Sequence, residues 1–288
     1  MKHSKGLRRG LCLLLLCAIL GVTFGVTYYH GEWWFPRWTS LTRRGEVRVT
    51  LRPDADDTTR WYYADLVALD NVIASDVLRL VNADHPLPRN YEPTLLEYNG
   101  AKMHPLMKDP YIALRDGVQE KTGVRIYVAS DYRTPEEQAD ILASADDGVA
   151  AQVGSSEHEA GLALDVYAPR FDGMNFLRSS AGRMVNRVCH EYGFIIRYPY
   201  GKEDVTGISY EPWHLRYVGK PHAEIISAAG ITLEEYVEML KPNEWYQHGE
   251  YLISRREIET LDLPNGWTTC EISPDNTGYY IVTLSFAK

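Results

Sequence analysis

Read from its amino end, the chain opens on one long apolar run and continues in shorter segments of mixed apolar and polar positions. An uncharged, mostly apolar run extends from Leu11 to Tyr29, enough as a helix to cross a hydrocarbon layer. Residues 30 to about 60 mix Gly, Arg, Asp and Thr with no sustained period, which predicts a linker with one short strand at Glu46 to Leu51. A helix-like pattern follows from Tyr62 to about Arg79. Leu80 to Pro88, broken by Pro86 and Pro88, must be extended or turning.

Residues 105 to 122 carry apolar positions at helical spacing, with Gly123 placed as the C-cap. Val124 to Ala129 alternates as a strand. Thr134 can cap a helix beginning at Pro135, with Glu136 and Glu137 in its first turn and Gln138 one turn in. Leu162, Leu164 and Val166 alternate with Gly161, Ala163 and Asp165, so one strand face is apolar and the other small or charged. A helix over Ser180 to Tyr192 ends at Gly193, and a strand over Phe194 to Tyr198 leads into a turn at Pro199 to Lys202. Helices and strands without a βαβ rhythm predict an α+β domain. From Trp245 onward, strand-like pieces at Glu250 to Ser254 and Tyr279 to Phe286 predict a short β-rich C-terminal appendage.

Charge orients this layout. Lys2, Lys5, Arg8 and Arg9 precede the apolar run, which puts residues 1–10 in the cytoplasm, a transmembrane helix over 11–29, and the rest outside. A cleaved signal peptide is the alternative. No small-residue cleavage site follows Val26, however, and Tyr28, Tyr29, Trp33 and Trp34 resemble an interfacial belt. Cys17 does not mark a lipoprotein, because the bulky Leu16 precedes it. Without the four N-terminal cations, 26 Lys and Arg face 39 Asp and Glu, a formal −13 that excludes nucleic acid as a partner. Only Cys189 and Cys270 lie beyond the apolar run. Their pairing is not fixed by sequence, and two isolated thiols is the plainer reading.

Candidate chemistry sits in two segments. The first runs Ser156-Glu157-His158-Glu159-Ala160-Gly161-Leu162-Ala163-Leu164-Asp165, and the second is Glu211-Pro212-Trp213-His214. Three nitrogen or oxygen ligands and an open position make a catalytic zinc site, and two exported cysteines are too few for a thiolate site. His158, Asp165 and His214 are the candidate ligands, with Glu211 three residues before His214. Taken singly, a histidine beside an acid is usually a hydrogen-bonding pair. The zincin pattern is absent, since Leu162 and Phe194 stand where H-E-x-x-H needs its second histidine.

The ordered set Ser130-Asp131-Tyr132-Arg133 with Gln138, then S-x-H-x-x-G-x-A-x-D at 156–165, then E-P-W-H at 211–214, resembles the VanY-type D-alanyl-D-alanine carboxypeptidases, a zinc metallopeptidase family. The similarity runs from about residue 76 to 240. It implies a small antiparallel sheet flanked by helices and carrying Zn2+ held by His158, Asp165 and His214. It also implies Glu211 as general base and acid, Arg133 as the cation that binds and polarises substrate, and Ser156 and Gln138 as residues that hold substrate or order the site. Trp213 is either core or substrate-facing. The implied substrate is a peptidoglycan stem peptide ending in D-Ala-D-Ala.

The layout is then a linker over 30–60, a zinc domain over 61–241 and a β appendage over 242–288. A D-Ala-D-Ala dipeptidase or a wall endopeptidase would share this chemistry, and a non-catalytic wall-binding module is the reading from another class. Such a relic would have lost the base or the arginine, and both are present. For Arg133 the plain alternative is a surface ion pair with Glu136 or Glu137.

Overall fold

The computed structural model describes residues 15–23, 25, 31–42, 49–52, 57–144 and 151–287. The expected span Leu11–Tyr29 is described only at residues 15–23 and 25, about half of it. Its described part, residues 15–23, is helical, with Leu15, Leu16, Ile19, Leu20 and Val22 exposed. Among the described residues no helix is long and apolar enough to cross a membrane.

The stretch expected as a linker holds regular structure: a helix Gly31–Thr42, strand β1 (Thr50–Arg52) and most of β2 (Thr58–Tyr62). The helix lies on the 3-10 segment Gly173–Arg178 and buries Phe35. A Cβ at Gly31 would stand 2.6 Å from Leu177 O, so glycine is what permits this close approach. The helix expected from Tyr62 to Arg79 does not form. One turn, Tyr63–Leu66, is followed by β3 (Val72–Ala74). Distant partners claim the apolar residues of this stretch: Leu66 is buried with Trp245, Leu261 and Leu263, and β3 pairs with residues 270–272. Tertiary pairing overrides a weak local period here.

Beyond residue 80 the pattern and the structure agree closely. After the hairpin β4 (Leu96–Tyr98) and β5 (Ala101–Met103) comes the helix Lys108–Thr122, which buries Tyr111, Leu114 and Val118. It ends where Gly123, at φ 72°, donates its N–H to Gln119 O in a left-handed cap. Strands β6 (Tyr127–Ser130), β7 (Ala163–Tyr167), β8 (Phe194–Ile196) and β9 (His214–Tyr217) form an antiparallel sheet in the order β6-β7-β9-β8. On β7, Leu164 and Val166 are buried while Asp165 keeps some exposure, as the alternation predicts. The helix Ser180–Val188 is capped by the Ser179 hydroxyl, which accepts from Gly182 N, and a 3-10 turn continues it to Gly193.

The C-terminal segment is β-rich: β10 (Trp245–His248), β11 (Tyr251–Arg256), β12 (Thr260–Pro264), β13 (Trp267–Pro274) and β14 (Tyr280–Phe286). It does not form its sheets alone. β1 and β3 are the outer strands of the six-stranded sheet β1-β10-β11-β14-β13-β3, and β2 pairs with β12. Cys270 lies in the core of this unit and Cys189 in that of the central domain, and no disulfide joins them.

Several contacts bind the two units together. Leu78 N donates to Ser273 Oγ at 2.9 Å, Leu80 N to Asp275 O at 3.2 Å, and Asn276 Nδ2 to the carbonyls of Leu80, His85 and Pro86. Tyr246, Ile253 and Ile281 belong to the central domain's core.

His222, at the start of the helix His222–Ala229, is part of the same seam. It is fully buried, with Nδ1 2.6 Å from Tyr236 Oη and Nε2 3.0 Å from Thr283 Oγ1 on β14. Burial pushes its pKa down to about 3, with His248 adding to the effect. Below pH 6.5 the unfolded chain therefore takes up a proton that the folded chain refuses, and stability falls as pH drops from 6.5 toward 3. In the metal-free chain this residue should contribute about 1 kcal/mol of destabilisation per pH unit across that window. Urea unfolding of His222→Gln at pH 6.5 and pH 5 should show a slope shallower by that amount, and an unchanged slope would contradict the assignment.

Candidate active site

The pairing of β7 with β9 sets Asp165 directly opposite His214. Adjacent antiparallel residues on one face have Cβ atoms about 4.5–5.5 Å apart, close enough to share one ion. His158 reaches the same point from the tight turn before β7, in which Glu159 N donates to Ser156 O and Gly161 N to His158 O. Gly161 has φ 67°, a left-handed conformation that side-chain-bearing residues rarely adopt, so the glycine of the motif is a backbone requirement. The backbone carbonyl of Asp131 lies 2.7 Å from His158 Nδ1, which fixes that ring and turns Nε2 toward Asp165.

His158 Nε2 is 3.3 Å from Asp165 Oδ2, and His214 Nδ1 is 3.1 Å from Asp165 Oδ1. Donor atoms from all three residues lie within 4.8 Å of one another. Tetrahedral zinc with ligands at about 2.0–2.2 Å separates its donors by about 3.3–3.6 Å, so both histidines stand near ligand spacing from the Asp165 carboxylate. Asp165 Oδ1 is also buried with no hydrogen-bond partner among the described residues, as a carboxylate oxygen meant for a cation would be.

The electrostatics agree. Burial opposes ionisation of Asp165, but His158 and His214 outweigh it and hold the carboxyl well below its usual range. Burial likewise opposes a charge on His214, yet Asp165 and Glu157 push its pKa up to about 10. A pocket that holds a proton so firmly offers the same negative potential to a metal ion, and the two compete.

Glu211 Oε2 stands 3.6 Å from His214 Nδ1, on the three-residue turn that leads into β9. Burial is the main cause of its pKa rising to about 7; Asp165 adds to this, and His214 and Arg133 oppose it. Arg133 does not pair with Glu136 or Glu137. Its Nη1 donates to Gln138 Oε1 at 2.6 Å and its Nη2 to Ser130 Oγ at 3.0 Å, while Gln138 Nε2 donates to Ala151 O. The helix Pro135–Ser144 presents Gln138 because Thr134 and Glu137 cap it reciprocally: Thr134 N donates to Glu137 Oε2 and Glu137 N to Thr134 Oγ1.

Arg133, Gln138, Ser156, Glu211 and Trp213 line one cavity of about 160 Å³ together with His158, Asp165 and His214. The structure thus brings together all eight residues singled out in the sequence. Ser285, the serine of the one S-x-x-K spacing in the sequence, is on β14, bonded to Thr269 of β13, and does not line this cavity.

Other site residues escaped the sequence reading. Tyr198 also lines the cavity, its ring centroid 4.9 Å from that of His214. Behind them lies an ionic cluster centred on three fully buried side chains, Glu157, Arg197 and Arg216. Glu157 Oε1 accepts from Arg197 Nε at 2.5 Å and Arg216 Nη1 at 2.7 Å, and Arg197 also binds both carboxylate oxygens of Glu234. Burial pushes the Glu157 carboxyl up, but Arg216 and Arg197 outweigh it and keep it ionised. The available signal was an arginine at a core position of each of two apolar stretches, Phe194-Ile195-Ile196-Arg197 and His214-Leu215-Arg216.

An α+β fold with an open two-histidine, one-aspartate centre beside a carboxylate outside the ligand set defines a metallohydrolase. Comparison with known proteins narrows the class. The VanY family model, described as D-alanyl-D-alanine carboxypeptidase, matches residues 100–220. The bifunctional D-Ala-D-Ala dipeptidase and D-Ala-D-Ala carboxypeptidase VanXYC of Enterococcus gallinarum is 37% identical over 181 residues, covering 57% of this chain and 95% of the relative. The solved D,D-dipeptidase VanXYg, bound to a D-Ala-D-Ala phosphinate analog, superposes with a TM-score of 0.62 at 26% identity, covering 80% of this chain and 98% of that one. VanYB in complex with D-alanine-D-alanine gives 0.50 at 33% identity, covering 57% and 99%. The chain belongs to the VanY family of D-alanyl-D-alanine carboxypeptidases.

Metal titration tests the ligand set. Zinc in excess over its Kd by about 100-fold should stabilise the wild-type chain by about 2.7 kcal/mol. His214→Ala, left with two protein ligands, should gain almost nothing and retain no zinc after gel filtration. A variant that still carried one zinc per chain would remove His214 from the ligand set.

Proposed function

We propose that this chain is a zinc-dependent carboxypeptidase that removes the terminal D-alanine from peptidoglycan stem peptides ending in D-Ala-D-Ala. One arrangement carries the reading: a buried carboxylate, Glu211, beside a three-ligand nitrogen and oxygen centre, in a cavity that also contains a fixed arginine. His158, Asp165 and His214 would hold the ion. When bound there, zinc supplies a Lewis acid and makes a good nucleophile of water near neutral pH.

Glu211 is the proton carrier. It takes a proton from the attacking water and delivers it to the departing amino group of D-alanine. Its burial suits this work, since a carboxyl with a pKa near neutrality can both accept and return a proton. Arg133, oriented by Gln138 and Ser130, presents permanent positive charge to the substrate carboxylate or to the oxyanion that develops during attack. Ser156 and Gln138 order the site, and Trp213 offers an apolar wall to the substrate. A second cut, of free D-Ala-D-Ala, is favoured by the names of two relatives, VanXYC and VanXYg, and the small cavity would suit a dipeptide.

The Leu11–Tyr29 run and its four preceding cations support a single-pass anchor with the catalytic domain outside the cytoplasm, where its substrate is found. The full-length protein should sediment with membranes and resist alkaline carbonate extraction. A soluble form starting near residue 30 would overturn the anchor.

Replacing Glu211 with Gln keeps size and ligands while removing the proton acceptor. Zinc content should stay near one per chain, and D-alanine release from a pentapeptide, followed by mass spectrometry, should fall about 10²- to 10⁴-fold. Parallel incubations with tetrapeptide and free D-Ala-D-Ala would define the cut. Unchanged release by Glu211→Gln would refute this mechanism, and no release by the zinc-loaded wild type would favour a binding module.

A further inference from the structure

A neutral imidazole offers a lone pair from one nitrogen only, so each histidine ligand must be told which nitrogen to present. His158 takes its instruction from the backbone, because a carbonyl can only accept, and Asp131 O therefore requires a proton on Nδ1. His214 has no such carbonyl. Its Nδ1 faces Asp165 and Glu211, and its Nε2 is buried 3.5 Å from Glu157 Oε2. These last two atoms have no other partner among the described residues.

We propose that Glu157 is a positioning residue for the metal centre: its Oε2 accepts the Nε2–H of His214 and so commits Nδ1 to the ion. The assignment rests on the zinc reading above. Each part of the surrounding cluster favours it. An ionised carboxylate is an acceptor only, and two arginines converging on Oε1 keep this one ionised and fix its plane, leaving Oε2 toward the ring. Arg216 is itself fixed by Nη2 bonds to the carbonyls of Val77 and Arg79, and Arg197 by its double contact with Glu234. Neither arginine faces the substrate cavity, so their bonds to Glu157 serve the protein and not the ligand.

The competing explanation is that Glu157 only neutralises the two arginines. Glu234 provides the control, because it neutralises Arg197 in the same cluster without touching His214. A glutamine at 157 would set an N–H donor toward His214 Nε2, or else turn it upon the arginines. The first choice demands the wrong tautomer and the second breaks the clamp.

The test measures zinc affinity of full-length wild type, Glu157→Gln and Glu234→Gln by chelator competition, with urea unfolding of each metal-free form alongside. Glu157→Gln should weaken zinc binding about 10- to 100-fold, the usual loss for a residue that orients a ligand. Glu234→Gln should lose stability yet bind zinc as the wild type does. Equal losses in the two variants, or no loss in Glu157→Gln, would overturn the assignment while leaving the zinc reading intact. Absence of zinc binding by the wild type would overturn both. If Glu157→Gln does not fold, the ¹⁵N spectrum of His214 in the zinc-loaded wild type decides. A proton on Nε2 with Nδ1 shifted by the metal is the expected result, and the opposite tautomer refutes the proposal.

Discussion

Everything near the metal centre depends on one buried carboxylate. Glu157 has no exposure to water and carries a charge there, which is tolerable only because two guanidinium groups meet it on the same oxygen. Those guanidinium groups belong to Arg197, just beyond β8, and Arg216 on β9, while Glu157 itself belongs to the turn before β7. One ionic cluster thus ties together the segments that carry His158 and His214. Removing a partner from such a cluster typically costs 3–5 kcal/mol, because a charge is then left buried and unpaired.

That rigidity has a chemical use. The donors at His158, Asp165 and His214 already stand at spacings that suit a tetrahedral ion, and a preorganised site loses little on binding it. Glu211 differs in kind. It lies beside the ligands yet outside the ionic cluster, and its carboxyl is perturbed by burial more than by any single partner. In the proposed mechanism the charges at Glu157 and Asp165 stay fixed, while the one at Glu211 changes during turnover.

The site was more legible in the sequence than the fold around it. His158, Gly161 and Asp165 are close in the chain, so a turn followed by an alternating strand sufficed to place them, and the second segment had only to pair with that strand. Glu157 stood in the quoted motif but gained no role, since its partners lie 40 and 59 residues onward and nothing local announces them. Residues 62–79 were misread for a related reason: the local period was helical, while the groups that bury Leu66 and pair with Val72 come from the far end of the chain. The helix Gly31–Thr42 lacks a strong period and owes its place to its fit on Gly173–Arg178.

The outer sheet has a consequence for biogenesis. β3 finds its partner about two hundred residues later, a very non-local contact of the kind that slows folding. In a chain that emerges amino end first, β1, β2 and β3 must wait unpaired while the whole metal-binding domain passes and takes shape between them and their partners. The last strands to arrive then close the structure like a buckle, fastening the early strands β1, β2 and β3 to the chain's late ones, and a nascent chain stalled before β13 would leave an open sheet edge able to capture a neighbour.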